Sequence, residues 1–440
     1  MTVTPLPAIP LSGQHALQRL LDTFGETLPG CALTVANDQQ VLFDSRSGKF
    51  DALEGGSEAR LAAKDDIMWF ASTTKLVTSV GKSFILTIVF DSCLICFGST
   101  AYLQLVDRGI LTLDTDLSQY YPALKEATSR VFRGVGEDGE PRWEEAATPV
   151  TLKMMLNQTS GFGMEFLSGV QGWKKYSGKG PGFVNSCKVD NLIHTPIVEQ
   201  PGAQFQYGNS AEWLGLILPY IVNQSTEDYM QENIFKPLGM HNTTFYPFGS
   251  EHEGRLMPLR YYNAEEKEWQ VLNGQMEGLT LPRSTTSDYT KLLQALLRLI
   301  RNTEQAYLKP ALLSQQSVNS LFERTLPQTA LPALTHVMNM RPPQPKDVAA
   351  SGEWDWSTGM VVWCPEDGRR LGKDESVAEG GWGRRAGSAG WFGAAGTMYF
   401  IDPKSNLTFV CTAQMLPGDY SMIGEMRYAL EKQVYAVLQE

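Results

Sequence analysis

Near its C-terminal end the chain reads Gly396-Thr-Met-Tyr-Phe-Ile401 and then Leu407-Thr-Phe-Val-Cys-Thr412. Both runs are rich in β-branched and aromatic residues, and turn residues bound them, so both are expected to be strands. Working outward, Thr358–Trp363 has the same character, and Tyr420–Gln439 reads as a closing helix. The other end of the chain repeats the theme. An amphipathic helix around His15–Phe24 carries Ala16, Leu17, Leu20 and Leu21 on one face. Two strands follow, Cys31–Val35 and Gln40–Asp44, joined by Asn37-Asp38 turn chemistry, and then a short strand at Ile67–Phe70. Between these ends the pattern is mostly helical, with Val150–Asn157, Ala211–Val222, Thr226–Phe235 and Tyr289–Arg301 as examples. Arg341-Pro-Pro-Gln-Pro345 reads as a linker. Strands at both ends with helices between imply an α+β chain: one sheet from residues 1–70 and 346–440, and an inserted, mostly helical domain from residues 71–345.

The composition narrows the classes. The 440 residues are 42% hydrophobic and 19% charged, which excludes a disordered chain, a coiled coil or a fibrous repeat. Forty-eight acids against 37 bases give a net charge of −11, so no nucleic acid partner and no stable membrane association are expected. Six cysteines make no disulfide scaffold, and Cys93-Leu-Ile-Cys96 is a lone pair with no second pair or nearby His, so no metal is expected. The run Met1-Thr-Val-Thr-Pro-Leu-Pro7 lacks the basic start of a secretory signal, which points to a cytoplasmic location. On that basis the sequons at Asn157, Asn223, Asn242 and Asn406 are chance matches.

Several catalytic patterns fail. There is no HExxH, and Gly81-Lys82-Ser83 ends like a phosphate-binding loop whose required first Gly is Leu76. Ala386-Gly-Ser388-Ala-Gly390 approximates a nucleophile elbow, but the last His of the chain is His336, before it. A hydrolytic centre free of metal and His remains. In Ser72-Thr-Thr-Lys75 the hydroxyl and ammonium share one helix face at i and i+3. A Ser hydroxyl needs a base, and a desolvated Lys is one. The plain alternative is a capping Ser followed by a solvated Lys. Tyr207-Gly-Asn209, preceded by Pro201-Gly202, adds a phenol able to act as base or acid and an amide able to orient the Lys or a carbonyl. Its plain alternative is a buried aromatic with a satisfied hydroxyl. Gly390-Trp-Phe-Gly-Ala394 opens a strand-like run whose backbone N–H groups could complete an oxyanion hole with that of Ser72.

Together these elements resemble the serine β-lactamase and penicillin-binding-protein superfamily, which carries S-x-x-K, Y-x-N and a K-T-G, H-x-G or W-x-G element in this order. Here they are Ser72-x-x-Lys75, Tyr207-x-Asn209 and Trp391-x-Gly393. Val150–Gly161, Pro201–Tyr207 and Ile234-Phe-Lys-Pro-Leu-Gly-Met240 are similar to further stretches of the superfamily. Asp228–Ile234 and Phe400–Lys404 resemble runs of its class C-like esterase and transesterase branch, and within it of the fungal lovastatin-type acyltransferases. The resemblance implies a β-lactamase/transpeptidase-like fold, with an antiparallel sheet flanked by terminal helices. It implies Ser72 as nucleophile, Lys75 and Tyr207 sharing base and acid roles, and Ser72 and Ala394 as the oxyanion hole. Asn209, Trp391, Phe392 and Gly393 would line the substrate.

The implied reaction is acyl transfer from a thioester or ester donor to an alcohol of a polyketide-like acceptor, in fungal secondary metabolism. The donor implied is a carrier-protein thioester, a coenzyme A thioester or a small thioester, and no cofactor is implied. The alternatives are a carboxylesterase with the same residues and a catalytically dead binding protein; a β-lactamase proper would need an export signal. Two departures stand out: Gln158 where the branch has His, and Phe392 where many members have Gly.

Residues 81–100 are anomalous. In the resembled family one helix runs from the nucleophile into a stretch matched here by Tyr102–Asp114. Removing residues 81–100 joins Leu76-Val-Thr-Ser-Val80 to Ala101-Tyr-Leu-Gln-Leu-Val106 as one amphipathic helix. Twenty extra helical residues would turn the second half by about 200° and misdirect its apolar face. Gly81-Lys82-Ser83 is encodable by GGTAAGT and Thr100-Ala101 by ACAGC, which are intron-like ends in one phase. The segment therefore reads as a retained intron, with a hydrophobic loop or a splice isoform as alternatives.

Overall fold

The computed structural model describes residues 6–50, 60–61, 63–70, 93–165, 167–180, 189–263, 266, 268–271, 283–302, 312–339, 353–372, 381–393, 395–416 and 420–439. Its largest sheet has seven strands: β1 (Cys31–Ala36), β2 (Val41–Ser47), β3 (Trp354–Trp356), β4 (Val361–Trp363), β5 (Ala389–Phe392), β6 (Met398–Asp402) and β7 (Leu407–Thr412). Their spatial order is β3-β4-β5-β6-β7-β1-β2, and every neighbouring pair is antiparallel. The first strand of the chain pairs with the last of this sheet, Leu33 opposite Cys411 and Val35 opposite Phe409, so both ends of the chain build it.

Alternation along the strands sends successive side chains to opposite faces. One face carries Leu33, Val35, Phe400 and Phe409 against helices α1 (Leu11–Thr27) and α7 (Tyr420–Val437), through Leu17, Leu21, Met426 and Leu430. The other face carries Ala32, Tyr399 and Val410 against helix α5 (Thr286–Ile300), through Tyr289, Leu292 and Leu293. Thr285 caps α5, its hydroxyl accepting the Asp288 N–H at 3.0 Å. Burial on both faces explains why β1, β6 and β7 are buried throughout.

Beside the sheet stand helices α2 (Cys93–Asp107), α3 (Ser168–Ser177), α4 (Ser210–Val222) and α6 (Leu331–Asn339). From Ser99 to Leu105 α2 is buried, and its Tyr102 hydroxyl donates to the Leu214 carbonyl of α4 at 2.8 Å. Residues 93–100, the last eight of the anomalous segment, form the first turns of α2, and the apolar side chains from Ala101 to Leu105 remain inward. The other half of the joined helix, Leu76–Val80, relative to which a misdirected face was expected, lies outside the described residues. Residues 81–92 and the linker Arg341–Pro345 lie outside the described residues.

Three boundaries differ from expectation. Thr358–Trp363 is not one strand, because Ser357–Met360 makes a tight turn that ends β3 and starts β4. The helix expected over Thr226–Phe235 loosens into a π-helical turn at Gln231–Phe235. A hairpin, Arg130–Val135 with Pro141–Glu145, stands in the stretch that reads as helical. No helix among the described residues is long and apolar enough to cross a membrane.

Candidate active site

Tyr207 and Trp391 are 184 residues apart in sequence and meet in the fold, the indole Nε1 donating to the Tyr207 hydroxyl at 3.4 Å. Their rings lie 5.4 Å apart at 36°. Trp356 of β3 completes a cage, 4.5 Å from Trp391 at 77° and 6.2 Å from Tyr207 at 61°. Aromatic faces and edges favour such tilted pairings over flat sandwiches. Tyr207 is 1% exposed, so its hydroxyl sits in a low-dielectric setting where a proton transfer partner matters most.

Local sequence explains how each group is held. Gly208 lies against the Phe162 carbonyl, and a Cβ there would stand 2.0 Å from that oxygen. The Tyr207 carbonyl accepts the Met164 N–H at 2.9 Å. Asn209 is buried at the N-cap position of α4, although its side chain makes no capping bond. Trp391 and Phe392 end β5, and Gly393 follows it. Gly390, paired with Phe400, has no room for a side chain, since a Cβ would lie 2.2 Å from the Tyr399 carbonyl. Arg427 of α7 secures the end of that strand, donating to the carbonyls of Gly393 at 2.8 Å and Thr397 at 2.7 Å. Its guanidinium also lies 5.4 Å from the Phe392 ring centroid. Phe392 stacks on Trp391 at 4.9 Å.

The fold thus gathers Tyr207, Asn209, Trp391, Phe392 and Gly393 from two distant motifs, with the Tyr207 and Trp391 side chains in contact. Ser72, Lys75 and Ala394 lie outside the described residues. Trp356 and Arg427 escape sequence reasoning. The closely spaced Trp354 and Trp356 were the available signal for the first; nothing local marks the second.

A cavity of 620 Å³ opens beside the Tyr207 segment. Its lining mixes apolar Phe132, Leu167, Val198, Phe205 and Val337 with polar Arg133, Gln171, Glu199, Gln206 and His336, and includes none of Tyr207, Asn209, Trp391, Phe392 and Gly393. That volume is within the usual range for a small-molecule site. The Phe205 ring on its wall lies 5.3 Å from Trp356, so cavity and cage share packing.

Alternative nucleophiles fare poorly. Burial pushes the thiol of Cys364 up to about 11 and that of Cys411 up to about 12, and raises Cys31 further. A thiol needs its thiolate to react, and burial disfavours that form at all three. Ser388 of the near-elbow is buried. Among the described residues no group of His, Cys, Asp and Glu is arranged to hold a metal ion.

The beta-lactamase family model matches residues 92–431, and the chain belongs to that family. It is similar to a lovastatin esterase of Penicillium rubens, 27% identical, with 92% of this chain and 94% of that protein covered. It is also similar to monacolin J acid methylbutanoyltransferase of Aspergillus terreus, 25% identical over 77% of this chain and 79% of the other. The fold matches unliganded simvastatin synthase from Aspergillus terreus with a TM-score of 0.76 and 20% identity, covering 97% of this chain and 99% of that one. The chain is accordingly an enzyme of the serine β-lactamase-related kind, with acyl transfer and ester hydrolysis as the activities of its relatives.

Proposed function

We propose that the chain is a serine acyltransferase for small molecules. Ser72 Oγ attacks the carbonyl of an acyl thioester or ester. The C–S or C–O bond breaks, the leaving thiol or alcohol takes a proton, and an acyl-Ser72 ester forms. An acceptor alcohol then attacks that ester, losing its proton as Ser72 regains one. Lys75 and Tyr207 carry these protons, and the backbone N–H groups of Ser72 and Ala394 hold the oxyanion. Asn209, Trp391, Phe392 and Gly393 line the substrate. The observation that carries the reading is the Tyr207 hydroxyl held against Trp391, in the segment whose Phe205 and Gln206 line a ligand-sized cavity. The cavity's mixed lining, with Phe132, Leu167, Val198 and Phe205 beside Arg133, Glu199 and His336, would suit an acceptor with an apolar body and polar groups. A carrier-protein or coenzyme A donor fits the cytoplasmic setting the reading assigns.

The reading also treats residues 81–100 as surplus to the catalytic form. Deleting them brings Thr78-Ser79-Val80 into the helical positions of Gly98-Ser99-Thr100. The substitutions suit those positions. Ser replaces Ser where Ser99 abuts Gly359, at the turn beside Trp356. Val replaces Thr at the fully buried position 100, at nearly equal volume. Thr replaces Gly98, where a Cβ meets nothing within 4 Å. Ser72 then falls one residue before the present first residue of α2, at the N-cap, about 10 Å along the axis from Ser79.

The test offers a short acyl thioester to the full chain and to the chain lacking residues 81–100, with intact-mass detection. One acyl group gained, and lost in Ser72→Ala, supports the enzyme assignment. No Ser72-dependent adduct on either chain, both folded, overturns it. If only the full chain acylates, the segment belongs to the working protein.

A further inference from the structure

Gln158 is the only one of the two departures from the family pattern that touches the Tyr207 segment's backbone from both sides. Its carbonyl accepts the Gln206 N–H at 2.8 Å, and its side-chain Oε1 accepts the Gly208 N–H at 3.2 Å. Its amide nitrogen donates to the Met155 carbonyl at 3.4 Å, which orients the side chain. The residue is buried and has φ 60°, a left-handed conformation that side chains other than glycine rarely adopt. That backbone turn directs the carbonyl and the side chain of one residue to the two amides flanking Tyr207.

The surroundings reinforce the arrangement. The Gly202 N–H donates to the Thr159 carbonyl at 2.7 Å, and the Val198 N–H to the Gly161 carbonyl at 2.9 Å. Ser160 and Ser210 hydroxyls meet at 2.7 Å. Residues 158–164 are therefore fastened along residues 198–210 by backbone and side-chain bonds, with Gly208 flush against Phe162. A one-residue error here would rotate the Tyr207 phenol away from Trp391.

We infer that Gln158 is a positioning residue for Tyr207, acting on the reacting hydroxyl through the amides of Gln206 and Gly208. This rests on the acyl-transfer reading for its catalytic consequence but not for its structural one. A strained residue that over-determines one loop belongs with functional geometry, and small misplacements of a reacting group cost large factors in rate.

The experiment uses the full chain with Gln158→Met, Gln158→Gly and Gln158→Glu. Met keeps the length and removes the acceptor. Gly relieves the left-handed backbone and keeps only the carbonyl. Glu keeps the acceptor. Residue-resolved hydrogen–deuterium exchange is read first. At Gly208 it is expected to rise about tenfold in the Met and Gly variants, as for loss of one hydrogen bond, and to return toward the parent in Glu. Unchanged Gly208 exchange in a folded Met or Gly variant overturns the inference, whatever the activity.

Hydrolysis of p-nitrophenyl butyrate is read second. In Met and Gly, kcat is expected to fall roughly tenfold to hundredfold with KM changed little, the Tyr207 limb of the pH–rate profile shifts, and Glu rescues. A parent kcat and pH profile in a variant whose Gly208 exchange has risen also overturns it. If the parent shows no Ser72-dependent turnover, the acyl-transfer reading fails on its own, and exchange alone judges the role of Gln158.

Discussion

Two buried polar clusters serve different ends. In the sheet domain, Arg384 and Glu431 form a two-pronged pair, Nη2 to Oε2 at 2.6 Å and Nε to Oε1 at 2.9 Å, with the Arg384 N–H adding a third bond at 3.0 Å. Burial opposes the charged guanidinium, yet Glu431 more than restores it, and the Arg384 pKa is raised. Nearby, the Tyr435 hydroxyl donates to Asp402 at 2.7 Å. The other cluster sets the Tyr207 phenol in an aromatic cage, with Trp391 Nε1 at 3.4 Å from its hydroxyl. The first spends its short, charged bonds on joining α7 to the sheet. The second packs the Tyr207 ring against Trp356 and Trp391. Charge pairing in the one and ring packing in the other predict different responses to substitution.

The largest expected effect breaks the first cluster. Glu431→Ala leaves a buried guanidinium without its partner and should cost about 3–5 kcal/mol in chemical denaturation, with activity per folded molecule kept. A loss below about 1 kcal/mol would remove the contrast drawn here. Tyr207→Phe should show the reverse. Ring packing persists, so stability changes by about 1 kcal/mol, while kcat falls about 10²–10⁴-fold. Equal stability losses in both variants would mean that the Tyr207 hydroxyl is structural. Gly208→Ala sits between them. Its methyl would meet the Phe162 carbonyl, so about 1–3 kcal/mol is lost and activity drops with it. Full activity in a stable Gly208→Ala protein would show that the segment tolerates displacement.

The smallest effect sharpens the comparison through pH. Burial raises the Asp355 carboxyl pKa, partly offset by the N–H groups of Leu326 and Trp356. A folded pKa above the unfolded value means the carboxylate costs stability at neutral pH. That cost fades as pH falls through the folded pKa and is gone below the unfolded value of about 3.9. Asp355→Asn should therefore melt slightly above the parent at pH 7, with the gap closing toward pH 4. A gap independent of pH would assign it to packing against Trp356 rather than to charge.

Much of the sheet was legible, and for a local reason. Cys31–Ala36 and Leu407–Thr412 are apolar and β-branched because both faces are covered, and that composition needs no partner to be read. The hairpin at Arg130–Glu145 was not, since its exposed strands are charged and glycine-broken, and only pairing with each other makes them strands. Thr358–Trp363 misled because one apolar run spans a turn and a strand. At the site, Tyr207 and Trp391 were legible as motif residues, whereas Trp356 has no motif and enters only by packing on both.

From sequence alone came the α+β class, the order of the motifs, the anomaly at residues 81–100 and the oddity of Gln158. The class depends on periodicity and composition, which neighbouring residues carry, whereas the anomaly and the oddity of Gln158 stand out only against the pattern of the resembled family. Tertiary structure alone decided that Tyr207 meets Trp391, that Arg427 secures the Gly393 carbonyl, and that Gln158 grips both sides of Tyr207. Each of those facts joins residues far apart in the chain. Such contacts exist only once burial has closed the loops between them, so no local pattern can encode them.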